Sequence, residues 1–167
     1  MSRGVDQKAS PNRCRPAPQE DLRVAAGLLT SEGKVLLCQR RRGDRHGLKW
    51  EFPGGKALAG EDTAACLRRE LGEELGIDAD VGCVLWRTRH RYPDGTRVSL
   101  TFLHVPHFRG DIRNLAFERV LWAKPETLGS YDFLAGDAGF IRAISRGRVR
   151  VPGAPVGGLA GAGLTPP

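Results

Sequence analysis

No apolar run in the sequence approaches the roughly 18 residues of a membrane-spanning helix, so the chain is not expected to meet a membrane. The opening stretch MSRGVDQKASPNRCRPAPQEDL has no apolar core of the signal-peptide kind, and a cytoplasmic location is the expectation. Cysteine is sparse. Cys14, Cys38, Cys66 and Cys83 are scattered without a CxxC pair, which argues against a structural zinc site and for buried free thiols in a reducing compartment. Lysine is scarce as well, since arginine makes up all but 5 of the 26 basic residues. Aromatic residues, 7 % of the chain, are not interleaved with the basic ones, so no specific nucleic-acid partner is expected.

What is present is a chain of 167 residues, 40 % hydrophobic and 27 % charged, enough for one globular domain with a proper core. The net charge of +7 and the preference for arginine, the better planar partner for phosphates, favour attraction of small polyanions such as triphosphates. Arg142, Arg146, Arg148 and Arg150 cluster near the end, and there a solvated tail is expected rather than a site.

The most informative stretch is GKALAGEDTAACLRRELGEELGI, from Gly55 to Ile77. If its second half is helical, Glu70, Glu73 and Glu74 fall at i, i+3 and i+4, on one face. Leu67, Leu71 and Leu75 form a separate apolar stripe to be buried. Three glutamates alone usually make a solvated acidic face, but carboxylates so close repel each other, and a divalent cation would offset that repulsion. Magnesium, which accepts one or two carboxylates together with substrate phosphates, suits such an arrangement.

The complete spacing resembles the Nudix box, G-x5-E-x7-R-E-U-x-E-E-x-G-U with U apolar, without a departure. At roughly 5–10 % usage per residue type a chance match is far below about one in a million. The preceding Trp50–Lys56, WEFPGGK, resembles the MutT-like branch, which hydrolyses (deoxy)nucleoside triphosphates, and the likeness runs from about Val24 to Ile144.

The resemblance implies an α/β fold, the Nudix α/β/α sandwich with a mixed β-sheet between helices. It implies that Glu70, Glu73, Glu74 and the Gly54 carbonyl hold Mg²⁺ or Mn²⁺. Glu61 and Arg69 would form an ion pair bracing loop against helix, Arg40 would contact substrate phosphate, and Phe52 would belong with the substrate site. A further metal-binding glutamate usually lies about six residues before Trp122, where this chain has Ala116; Glu118 is the nearest acid and a surface Glu is the alternative. In MutT an asparagine at the position of Asp137 reads the modified guanine. An ionised aspartate only accepts hydrogen bonds, which would suit a base edge presenting donors, cytosine's amino group included. A helix N-cap is the plain alternative for Asp137.

Along the chain, residues 1–21 read as a disordered lead-in, 22–146 as the domain and 147–167 as a Gly/Pro-rich tail. Apolar runs at 24–29 and 34–39 flank a turn at Ser31–Gly33. After Gly76, a helix stop, strands are expected over 79–89 and 97–105, joined at Tyr92–Thr96, then near 114–122, with a last helix after Asp137. The expected activity is metal-dependent hydrolysis of a nucleoside triphosphate to monophosphate and pyrophosphate, by a monomer or dimer. Oxidised purine nucleotides such as 8-oxo-dGTP are the first substrate choice, pyrimidine triphosphates (CTP, dCTP) the second. A non-hydrolytic nucleotide-binding Nudix module is the rival, although such modules commonly lose box carboxylates that are all present here.

Overall fold

The computed structural model describes residues 20–153. Its longest strand, β1 (Leu22–Ser31), alternates its side chains between two cores. Ala26 and Leu28 enter one core, Ala25 and Leu29 the other, as the two-residue period of a strand requires when both faces are covered. β2 (Lys34–Gln39) and β7 (Arg97–Val105) divide in the same way.

β1 pairs parallel with β7 and antiparallel with β2 and with β4 (Gly54–Lys56). β6 (Val84–Arg91) pairs antiparallel with β7 through the Tyr92–Thr96 turn, while β3 (Trp50–Glu51) and β9 (Arg119–Ala123) flank β2. The sheet is therefore mixed. A small separate ladder joins β5 (Asp78–Asp80) to β8 (His107–Arg109).

Helix α1 (Thr63–Leu75) covers one face. Leu67, Leu71 and Leu75 are fully buried against Ala25, Leu29, Leu103 and Val105. Asp62 caps its start by accepting from Ala65 N at 2.8 Å, and Gly76, at φ 68°, ends it in the left-handed conformation. Helix α2 (Ala138–Ser145) covers the other face with Phe140, Ile141 and Ile144. The arrangement is the expected α/β/α sandwich.

The stretch 79–89 is not one strand. It breaks at Val81–Cys83, where Gly82 N donates to His104 O at 2.8 Å and the chain crosses from β5 to β6. The late strand begins only at Arg119, because Asn114 folds the preceding residues into a turn through paired bonds with Phe117 N and O at 2.9 and 3.0 Å. The ordered chain also continues past residue 146. Val149 and Val151, two residues apart, bury their side chains in the α2-side core, where a tail was expected. The remainder of both expected tails lies outside the described residues. Cys38 and Cys66 are buried free thiols and Cys83 is exposed. Among the described residues no helix is long and apolar enough to cross a membrane.

Candidate active site

The site is built where the glycine pair of β4 meets α1. Gly54 has φ 141°, and a Cβ there would lie 2.2 Å from the Ala25 carbonyl oxygen, so only glycine fits. A Cβ on Gly55 would lie 2.3 Å from Cδ of Glu70, so the bare backbone makes room for that carboxylate. Glu74, one turn on, accepts a hydrogen bond from the Gly54 amide at 2.9 Å. Glu70 and Glu74, at i and i+4, thus both face the glycine loop.

Glu73 does not join them. Its side chain is 60 % exposed and pairs with Arg69 at 3.3 Å. Among the described residues no three Asp, Glu, His or Cys side chains converge as a ready-made metal cage. The sequence reading of three carboxylates pointing one way is corrected to two against the loop and one turned outward. Glu73 shares the Arg69 Nη1 that holds Glu70 at 2.9 Å, but at the solvent side of it and without any contact to the loop.

Arg69 is the organising cation. It donates to both oxygens of Glu61 at 3.0 Å, to Glu70 at 2.9 Å and to the Lys56 carbonyl at 3.1 Å. Glu61 also accepts from Leu58 N at 2.8 Å. The Arg69 hydrogen bonds, followed by that of Leu58, hold the Glu61 carboxyl down at about 2.

Above the loop opens a cleft of about 280 Å³, walled by Arg40, Glu51, Gly54, Gly55, Tyr92 and Leu134, among others. Arg40 donates to both oxygens of Glu51 at 3.1 Å. Its Nε also donates to the Arg45 carbonyl at 2.9 Å, which folds the polar 40–48 loop over the cleft edge. That loop closes on the β6–β7 turn, where His46 stacks on Tyr92 at 5.1 Å and Arg45 pairs with Asp94.

Three acids under this cleft carry an electrostatic load. Burial, then the charges of Glu51 and Glu70, push the Glu74 carboxyl up to about 8 against the opposing bond from Gly54. Burial likewise raises Glu51, although Arg40 works in the other direction. Asp137 is only 3 % exposed, and burial followed by the Glu51 charge raises it well above the usual carboxylate range. Ionising these crowded acids is costly without a compensating positive charge, which a divalent cation bound to their oxygens would supply.

Phe52 does not line the cleft. It lies in the core, 3 % exposed, stacked on Phe133 and edge-on to Phe102 and Phe140, because an extended chain that turns Glu51 toward the cleft sends Phe52 to the opposite face. Asp137 occupies the N-cap position of α2 but makes no capping bond, and so the capping alternative is not realised. Glu118 sits on the loop before β9, exposed, with its carboxylate 3.5 Å from Arg42 N. Glu51 and Tyr92 are the site residues that sequence reasoning passed over. Glu51 stood in plain view between Trp50 and Phe52, but only the third dimension couples it to Arg40, Glu74 and Asp137.

Residues 21–144 match the NUDIX domain model. The chain belongs to the NUDIX family. It is 35 % identical over 132 residues to a CTP pyrophosphohydrolase of Escherichia coli, covering 78 % of this chain and 96 % of that one. It is 33 % identical over 121 residues to an 8-oxo-dGTP diphosphatase of Haemophilus influenzae, covering 72 % and 88 %. Among solved structures, the E. coli ORF135 protein superposes with a TM-score of 0.72 at 30 % identity, covering 83 % of this chain and 99 % of that one. The MutT protein of Methanosarcina mazei, at 21 % identity and TM-score 0.69, shares the fold.

Proposed function

We propose that this Nudix hydrolase adds water across the α–β phosphoanhydride of (deoxy)nucleoside triphosphates, releasing a nucleoside monophosphate and pyrophosphate. The single observation that carries this reading is the placement of Glu70 and Glu74 against the Gly54–Gly55 loop, under a cleft edged by Arg40. Glu70, Glu74 and the Gly54 carbonyl are the proposed holders of Mg²⁺ or Mn²⁺, with Glu73 and Glu118 completing the set from its edge. Such ions, when bound, neutralise phosphate charge and lower the pKa of a water.

The chain's own residues do the rest. Arg40, released from Glu51, presents its fork to substrate phosphate. Glu61 and Arg69 position the loop and the Glu70 carboxylate, a supporting role rather than a direct one. Glu70 takes the proton of the attacking water, and the wall of Glu51 and Tyr92, with Asp137 buried behind it, faces the base. Oxidised purine triphosphates such as 8-oxo-dGTP are the first substrate class. The second reading, CTP or dCTP, draws support from Glu51 on the cleft wall, whose carboxylate oxygens can accept from the cytosine amino group, and from the CTP pyrophosphohydrolase relative. A pyrophosphate-release screen over normal and oxidised triphosphates with Mg²⁺ tests both. Release from 8-oxo-dGTP well above dGTP supports the first reading, preference for CTP or dCTP the second, and no release from any triphosphate overturns the proposal.

A further inference from the structure

On the far side of the sheet from α1, a second cleft of about 280 Å³ opens between β6 and α2, lined by Trp86, Thr88, Gly139, Arg142, Ala143, Arg146 and Arg148. It shares no lining residue with the cleft above the glycine loop. Trp86 and Thr88, two apart on β6, face the same way. Gly139, Arg142 and Arg146, spaced i, i+3 and i+7, bring one stripe of α2 to meet them.

Three features of this cleft point to an anion. No carboxylate lines it, and Arg142, Arg146 and Arg148 take part in none of the ion pairs among the described residues. Arg142 and Arg146, one turn apart with Arg148 beside them, repel each other. Trp86 Nε1 is a buried donor without an acceptor, a costly state for an indole N–H. It lies beside Gly139, where an added Cβ would stand 3.9 Å from Nε1 and 3.8 Å from Thr88 Oγ1, so both groups sit next to the same bare stretch of α2 at the cleft floor. The end of α2 gives a reason for arginines to gather there, through the helix dipole, but none for an orphaned indole donor and a hydroxyl at the same spot.

We propose that the β6–α2 cleft binds a phosphate-type oxyanion, free or carried as a phosphoryl ester, held by Arg142, Arg146 and Arg148 over Thr88 and Trp86. Forked guanidinium donors and neutral N–H and O–H groups are the combination that recognises such an anion. The site is independent of the proposed catalysis, and neither reading depends on the other.

The indole N–H resonances of Trp50, Trp86 and Trp122 give a residue-specific test. In ¹⁵N-labelled protein stripped of divalent ions, the Trp86 signal is assigned by its loss in Trp86→Phe. Titration with inorganic phosphate at constant ionic strength, balanced with chloride, should move the Trp86 signal to saturation. In Arg142→Gln/Arg148→Gln, whose exposed side chains are not needed for folding, saturation should require at least tenfold more phosphate. A parallel titration with AMP separates the sources: tighter binding than orthophosphate assigns the site to a phosphoryl ester, equal binding to the free anion. A Trp86 signal that responds to phosphate no more than to chloride, or responds identically in the double variant, overturns the proposal.

Discussion

The Glu74 carboxylate accepts a hydrogen bond from the Gly54 amide at 2.9 Å, fastening the last turn of the Nudix helix to the glycine loop across twenty residues of sequence. That bond favours the ionised form, yet burial and the neighbouring charges of Glu51 and Glu70 outweigh it and raise Glu74 to about 8. A carboxyl raised above its unfolded value of about 4.3 stabilises the fold fully below that pH. The contribution disappears as pH rises through about 8. The metal-free protein should therefore lose melting temperature between about pH 5 and 8, and Glu74→Gln should flatten that decline. Added Mg²⁺ should raise the wild-type melting temperature most at the alkaline end and raise that of Glu74→Gln least. Thermal melts at several pH values, with and without Mg²⁺, check all three.

The glycine pair should divide into two different losses. Gly54→Ala drives a Cβ into the Ala25 carbonyl at φ 141° and should destabilise the fold by about 2 kcal/mol or more. Gly55→Ala meets only the movable end of Glu70, so the protein should fold with a modest change in melting temperature while kcat falls at least tenfold. Denaturant unfolding alongside steady-state kinetics separates the two.

At the acid end, Glu61 is held near 2 by Arg69. Its contribution is present above the unfolded carboxyl value and lost as pH falls through about 2. Stability curves of wild type and Glu61→Gln should therefore coincide near pH 2 and separate above about pH 4. Arg69→Lys, which cannot reproduce the fork, should behave much like Glu61→Gln.

Asp137 is buried and raised by burial, then by Glu51. Its stabilising contribution belongs to the protonated form, present below the unfolded carboxyl value and lost as pH rises through the folded one. Asp137→Asn, equal in size and never charged, should be the more stable protein at alkaline pH and level with wild type in acid. If Asp137 backs the wall that faces the base, the same change should shift the ratio of kcat/KM for 8-oxo-dGTP over CTP by tenfold or more.

Much of this is legible in the sequence. The box spacing placed α1, its buried Leu67, Leu71 and Leu75 and the stop at Gly76, because a period of 3.6 residues and a left-handed glycine are local properties. Side-chain direction was not legible. Spacing put Glu73 beside Glu70 and Glu74, but that Arg69 leaves it on the solvent side while Glu70 lies against the glycine loop depends on where the Glu61 loop returns. Phe52 and Glu51 were read as one motif, although a strand sends neighbours to opposite faces. The burial of Val149 and Val151 was hidden in a Gly- and Pro-rich context that composition alone reads as a tail.

The most direct measurement is pyrophosphate release with saturating Mg²⁺ by wild type and Glu74→Gln, each verified as folded by its melting curve. The account predicts that the variant keeps its fold and loses at least a hundredfold in kcat. Near-full turnover by a folded Glu74→Gln protein would contradict the assignment of the α1 carboxylates to catalysis.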